Sequence, residues 1–214
     1  MRTVVLASRN KDKLRELREI LGDVGIEAVP LPDTAPEVEE TGATFFENAA
    51  LKAVSAFLAT GLPAVADDSG LCVDALGGGP GVLSARYSGP DATNEANNEK
   101  LIRELRGVPL RAAHYHCAIA LACRREDLRL PADGVRETWP GLPEGAVLVE
   151  ASGRVDGEIV DSPRGGGGFG YDPHFLIPEL GRTFAEIPAA EKHAMSHRGR
   201  ALRELAAFLS RHAR

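Results

Sequence analysis

The chain contains no run of about 18 apolar residues, which excludes a membrane-spanning helix of ordinary length. Its first residues, Met1-Arg2-Thr3-Val4-Val5-Leu6, read as the entry to a short strand and not as a signal-peptide core, so a cytoplasmic protein is expected. Basic charge is not in excess either. Lysine and arginine number 25 against 31 aspartates and glutamates, for a formal net charge of -6. A surface that coats nucleic acid needs a clustered basic face to release counterions, so a nucleic-acid polymer is not expected as a partner. A nucleotide bound through a metal ion stays compatible with the acidic balance.

Cysteine is scarce and carries no C-x-x-C spacing. Cys117 and Cys123 lie six apart in one apparent strand, about 20 Å along the same face, beyond disulfide or shared-metal reach. With Cys72 the count is odd, and three buried free thiols in a reducing compartment are expected. No internal repeat is present. The Gly77–Gly81 stretch resembles neither the G-x-G-x-x-G fingerprint nor a phosphate loop ending in G-K-[ST], and its position after a short strand argues against both.

What remains is an ordinary globular composition, 43% hydrophobic and 26% charged, in 214 residues. That length suits one domain, here expected to have two lobes. Within it the most informative feature is the pair Asp67-Asp68, preceded by Leu62-Pro63-Ala64-Val65-Ala66 and followed by Ser69-Gly70. An apolar run ending in carboxylates reads as a buried strand with charge at its exposed tip, where a cation relieves the repulsion of adjacent like charges. The same letters also spell a plain strand-to-turn sequence.

Periodicity places a strand over 2–7 and an amphipathic helix over 10–21, with Leu14, Leu17, Ile20 and Leu21 on one face. Ser8-Arg9-Asn10-Lys11-Asp12-Lys13 spans the junction. It is either a phosphate site at a helix N-terminus or a solvated helix start capped by Asn10. Thr44-Phe45-Phe46-Glu47 has the capping-box form, opening a second helix whose apolar face is Ala50, Leu51, Val54 and Phe57 and which ends at Gly61. The acidic turn before it, Glu37 to Gly42, is a solvated loop or the source of a second metal carboxylate.

Further along, a short strand is expected over 71–76, a helix over 93–105 and an alternating strand over 113–123. Residues 124–146 read as an insertion or long surface hairpin loop, and 147–151 with 155–160 as two strands turned at Ser152-Gly153. Gly165 to Pro173 sets Phe169, Tyr171 and Asp172 in a flexible frame, with Phe169 either exposed to stack on a base or tucked into the core. Glu191 to Arg198 precedes the last helix, with core stripe Leu202, Leu205 and Leu209 and Ser196 as its cap. Lys192, His197 and Arg198 gather near the positive end of that helix, which favours a ligand between them.

Taken in order, Ser8-x-Asn10-x-x-Lys13, Glu40-Thr41-Gly42, Phe46-Glu47-Asn48-Ala49-x-x-Lys52-Ala53, Ala66-Asp67-Asp68-Ser69-Gly70-Leu71, Gly168-Phe169-Gly170-Tyr171-Asp172-Pro173, and Glu191-Lys192 with Ser196-His197-Arg198 resemble the Ham1, or inosine triphosphate pyrophosphatase, family. The resemblance implies an α/β fold, a long twisted mixed sheet flanked by helices, with two lobes and a central substrate cleft, usually paired as a homodimer. It implies an enzyme, a hydrolase that splits the α-β phosphoanhydride of XTP, ITP or dITP to the monophosphate and pyrophosphate. Ser8, Asn10 and Lys13 would then hold the triphosphate, in a substrate-binding segment that also takes in Arg9, Lys11 and Asp12. Lys52 would add charge, and Glu40 with Asp68 would bind Mg2+. Asp68 would also take the proton of the attacking water, with Asp67 beside it and Ser69 on the substrate. Phe169, in the Gly170-Tyr171 loop, would stack on the purine, and Asp172, Lys192, His197 and Arg198 would frame its edge and sugar.

The chemistry agrees, since anhydride attack needs a deprotonated water, a metal and fixed donors on the leaving group. A donor facing O6 accepts hypoxanthine or xanthine and rejects the adenine amino group. Two departures stand out: Arg9 where the family often has glycine, and a 124–146 segment longer than its usual connection. A phosphoribosyltransferase would place a Thr-Gly phosphate loop after paired acids, and a non-catalytic nucleotide sensor would not need both Glu40 and Asp68.

Overall fold

The computed structural model of the chain describes residues 1–130 and 133–214. Among the described residues eight strands and five α-helices follow one another as β1 (Thr3–Leu6), α1 (Lys11–Gly22), β2 (Glu27–Pro30), α2 (Phe45–Thr60), β3 (Ala64–Val73), α3 (Asn94–Glu104), β4 (Ala112–Arg124), β5 (Val135–Arg136), β6 (Ala146–Ile159), β7 (Phe175–Ile177), β8 (Arg182–Thr183), α4 (Ala189–Met195) and α5 (His197–His212). The strands form one mixed sheet in the order β2-β1-β3-β4-β6-β7-β8, with β5 beside β6. Pairing is parallel at β2-β1-β3 and antiparallel from β6 to β8. The α/β class with a mixed, helix-flanked sheet is the one expected.

Contacts divide the chain into two compact units. The first comprises residues 1–68, 118–153 and 201–214; the second comprises 69–117 and 154–200. In the first, α2 lays Ala49, Ala50, Ala53 and Ala56 against Ala64, Ala66, Ala118, Ala120 and Ala122 of the strands. Small residues on both sides let the helix lie close to the sheet, which brings polar groups at its first turn within reach of the end of this unit's β3. The helix begins as its capping box predicts, with Thr44 accepting from the Glu47 amide, and it stops at Gly61, whose left-handed φ of 69° closes the last turn. The second unit has its own core, built on Leu71, Val73, Leu101, Leu105, Tyr115, Phe175 and Phe184.

Three expectations change. The aspartates do not end a strand, because β3 runs on through Asp67-Asp68-Ser69-Gly70 to Val73, and residues 74–76 form a 3-10 turn. β3 lies between β1 and β4 in the sheet, pairing with β1 at Ala64 and Val65, and its strand geometry carries on through a segment whose local letters favour a turn. Ser152-Gly153 likewise makes no turn, and β6 is one strand of 14 residues. Its buried and exposed positions alternate from Ala151 to Ile159 without a slip, a period-two signal already visible in the sequence. The segment 124–146 is more ordered than a loop. It contains β5 on β6 and sets Trp139 edge-on to Phe46 at 5.3 Å, although Pro131 and Ala132 lie outside the described residues.

The three cysteines are free and buried. Burial pushes the Cys72 thiol up, and burial with the nearby Asp127 carboxylate pushes Cys123 up to about 12, so both stay protonated and unreactive at neutral pH. Among the described residues no helix is long and apolar enough to cross a membrane.

Candidate active site

In the first unit the α1 junction is built from a side chain that serves its own backbone. Asn10 Oδ1 accepts from the amides of Asp12 at 2.9 Å and Lys13 at 3.2 Å, and Ser8 Oγ accepts from the Asn10 amide at 3.2 Å. This fixes the first turn and sends Lys13 inward. Its Nζ donates to both carboxylate oxygens of Asp67, each at 2.9 Å, and Asp67 is buried. Three members of the Ser8–Lys13 segment point elsewhere. Arg9 turns to the 33–37 loop, pairing with Glu37 and donating to the Ala35 carbonyl; Asp12 pairs with Arg15; Lys11 is exposed. The long Arg9 side chain thus tethers the 33–37 loop.

The acidic turn is held by the first turn of α2. Glu47 Oε2 accepts from the amides of Ala43 and Thr44, and Asn48 Oδ1 accepts from the Gly42 amide at 2.8 Å. A side chain at position 42 would meet Glu47 and Asn48 atoms at 2.6–2.9 Å, so glycine is required by this close approach. Two residues upstream, Glu40 pairs with Lys52 at 2.7 Å. Asp68, half-buried, accepts from Asn48 Nδ2 at 3.0 Å.

Among the described residues no cluster of three or more His, Cys, Asp or Glu side chains is placed to hold a metal. The carboxylates of Glu40 and Asp68 offer oxygen ligands only and are partly exposed. That set suits Mg2+, which takes one or two carboxylates and completes its shell with substrate phosphates and water.

In the second unit a cavity of about 180 Å³ is lined by Ser69, Tyr115, Phe169, Asp172, His197 and Arg198 among others. Phe169 is 69% exposed, a large apolar ring left open at the rim of a glycine loop. The core alternative for this ring is thereby ruled out. Lys192 Nζ lies 5.1 Å from its centroid and forms an ion pair with Asp172. Asp172, 2% exposed, also accepts from the Phe169 amide at 2.8 Å. Asp172 therefore ties the loop to Lys192 at the wall of the cavity that it helps to line. Gly170 offers its carbonyl to Asn98 at 2.9 Å, and Tyr171 donates to the Ser84 carbonyl at 2.8 Å. Burial raises the Tyr171 hydroxyl above its ordinary range, keeping it a donor. Arg198 reaches Ser69 Oγ at 3.4 Å, and Ser196 caps α5 through the Gly199 amide.

Three contributors escaped the sequence reading. Tyr115, buried in the cavity wall, stacks on His197 at 4.9 Å and on Phe184 at 5.7 Å, so it sets the plane of the histidine ring. Asn98 holds the Gly170 carbonyl. Asn48 belongs to a quoted motif but carried no role; its signal was an amide among the alanines of a buried helix face. Glu191 to Met195 lie in α4 (Ala189–Met195), and His197 and Arg198 open α5 itself instead of preceding it.

Lysines paired with carboxylates in one α/β unit and a cavity with an open aromatic ring in the other are features of a nucleotide-handling class of protein. The chain belongs to the Ham1 family, whose model matches residues 4–208. It is 51% identical over 206 residues to the dITP/XTP pyrophosphatase of Geobacter sulfurreducens, covering 94% of each chain. It is 46% identical over 209 residues to that of Ralstonia nicotianae, covering 96% of this chain and 95% of the relative. Among solved structures it is similar to a HAM1 protein from Coxiella burnetii, with TM-score 0.85, 43% identity and coverage of 98% and 99% of the two chains.

Proposed function

We propose that the protein is a Mg2+-dependent nucleoside-triphosphate pyrophosphohydrolase that cleaves the α-β anhydride of XTP, ITP or dITP, releasing the monophosphate and pyrophosphate and so clearing non-canonical purines from the nucleotide pool. The observation that carries this reading is the ordered set of carboxylates and ammonium groups in the first unit: Lys13 on Asp67, Lys52 on Glu40, and Asp68 on the Asn48 amide. Each lysine already faces the place of a negative charge, so phosphate oxygens can take over partners that the fold has aligned. Relatives named dITP/XTP pyrophosphatases at 46% and 51% identity support the substrate class.

Glu40 and Asp68 are the residues that would hold Mg2+, which when bound would neutralise charge developing on the phosphates. The Asp68 carboxylate accepts the proton of the attacking water, giving a hydroxide that adds to the α-phosphorus as its bond to the α-β bridging oxygen breaks and pyrophosphate leaves. Lys13 and Lys52 bind phosphate oxygens. In the second unit Phe169 stacks on the purine, and Lys192, His197 and Arg198 supply the donors that suit an O6 acceptor and leave adenine mismatched. A homodimer in the cytoplasm completes the proposal, and the protonated buried thiols suit a reducing compartment.

Incubation of the purified protein with Mg2+ and, separately, ITP, XTP, dITP, ATP and GTP tests it. Inosine monophosphate with pyrophosphate is expected from ITP. Orthophosphate with a nucleoside diphosphate, or no turnover, overturns the assignment.

A further inference from the structure

Asn48 is fully buried, and both ends of its amide are engaged by groups of different kinds. The Gly42 backbone N–H can only donate, so the oxygen Oδ1 must face it, at 2.8 Å. The amide orientation is thereby forced, and the nitrogen Nδ2 must face Asp68 Oδ2, at 3.0 Å. A flipped amide would set N–H against N–H on one side and oxygen against carboxylate on the other. Neither the Gly42 turn nor the helix start has slack, because any Cβ at position 42 would meet Glu47 Cβ, Asn48 Oδ1 and the Asn48 amide within 2.9 Å.

We propose that Asn48 is a positioning residue that restricts rotation of the Asp68 carboxylate and couples it to the turn bearing Glu40, so that one buried amide links the two carboxylates. This rests on the reading of Asp68 as the proton acceptor given above. The physical basis is that a carboxylate rotates freely unless one oxygen is pinned, and a neutral amide donor pins it without adding a competing charge. Groups that orient a ligand or base in this manner, when removed, cost about 10- to 100-fold in activity or metal affinity.

The Asn48→Asp variant separates the two halves of the amide. It keeps an oxygen for the Gly42 amide but replaces the donor facing Asp68 with a second oxygen. Expected is a kcat for ITP hydrolysis lowered at least 10-fold, with KM within about threefold of wild type. The Gly42 amide should remain as protected from hydrogen exchange as in wild type. In Asn48→Leu both kcat and the Gly42 protection should fall. A near-normal kcat in Asn48→Asp with Gly42 protected overturns the proposal, since Asn48 would then serve the turn alone. If Asn48→Asp does not fold, Asn48→Leu decides, and a kcat within threefold of wild type overturns it.

A readout independent of turnover is the Asn48 side-chain amide in the NMR spectrum of the metal-free protein. Slow exchange that is lost in Asp68→Ala supports the link, and fast exchange in the wild type sinks it. A wild type that hydrolyses no nucleotide but shows the protected amide would count against the pyrophosphatase reading and not against the Asn48–Asp68 link.

Discussion

Lys13 Nζ stands 2.9 Å from each carboxylate oxygen of Asp67, and this symmetrical pair distinguishes the two adjacent aspartates. Asp67 neutralises and aims a lysine, whereas Asp68 meets a neutral amide. Successive residues of a strand point to opposite faces, so β3 delivers the two carboxylates in different directions from one backbone.

Replacement of Asp67 should therefore act through Lys13. Asp67→Ala leaves a lysine whose side chain is only 23% exposed without this partner, and a loss of about 1–3 kcal/mol in urea unfolding is expected, limited because the chain can turn to water. KM for ITP should rise in Asp67→Asn as well, since Lys13 is no longer aimed. Unchanged KM and unchanged stability would remove the pair from both roles.

Asp68→Asn keeps the shape of the side chain and removes its ability to take a proton. Turnover of ITP should fall about 10²- to 10⁴-fold while nucleotide binding, followed by calorimetry, stays measurable. Near-normal turnover would exclude Asp68 as the base.

At the open ring, Phe169→Ala should leave thermal unfolding unchanged, because the side chain is 69% exposed and packs little core. Its cost should appear in substrate binding instead, about 1–3 kcal/mol per stacked base, or roughly 5- to 150-fold in KM. An unaltered KM for ITP would show that the purine stacks elsewhere.

The loop that presents this ring depends on Gly168, which has φ +75° and whose added Cβ would run into the Asp172 carboxylate. Gly168→Ala should lower stability by about 1–3 kcal/mol and weaken ITP binding together, because Asp172 also holds Lys192. A scan of melting temperature alongside KM checks both effects; if neither moves, the loop tolerates the carboxylate's displacement.

His114 gives a pH-dependent contribution. Burial first, then the Arg154 guanidinium, lowers its pKa below the ordinary 6.5, opposed by Asp156 and Asp74. The folded state then refuses a proton that the unfolded chain accepts, so this contribution is complete above pH 6.5 and diminishes as pH falls toward the lowered folded value. Urea unfolding between pH 7.5 and 5.5 should show a decline that is shallower in His114→Gln. Parallel declines in the two proteins would reject the assignment.

Much of this was legible in the chain because it is local. Asn10, Thr44 and Ser196 cap their helices, Gly61 ends α2, and the apolar stripe of α5 is buried, all from interactions spanning a turn or two. The mixed α/β class and the ordered motifs of the Ham1 family were equally readable, since each motif lies within a few consecutive residues. What the tertiary structure alone decided concerns groups far apart in sequence or held against local preference. β3 and β6 run straight through Asp-Ser-Gly and Ser-Gly letters because sheet hydrogen bonds outweigh turn propensity. Lys13 chose Asp67 across 54 positions, Arg9 left the α1 junction for Glu37, and Asn48 took Asp68 across 20. Composition and spacing name the charges available, but packing selects their partners, because a buried donor must find an acceptor at about 3 Å and only the folded backbone brings one there.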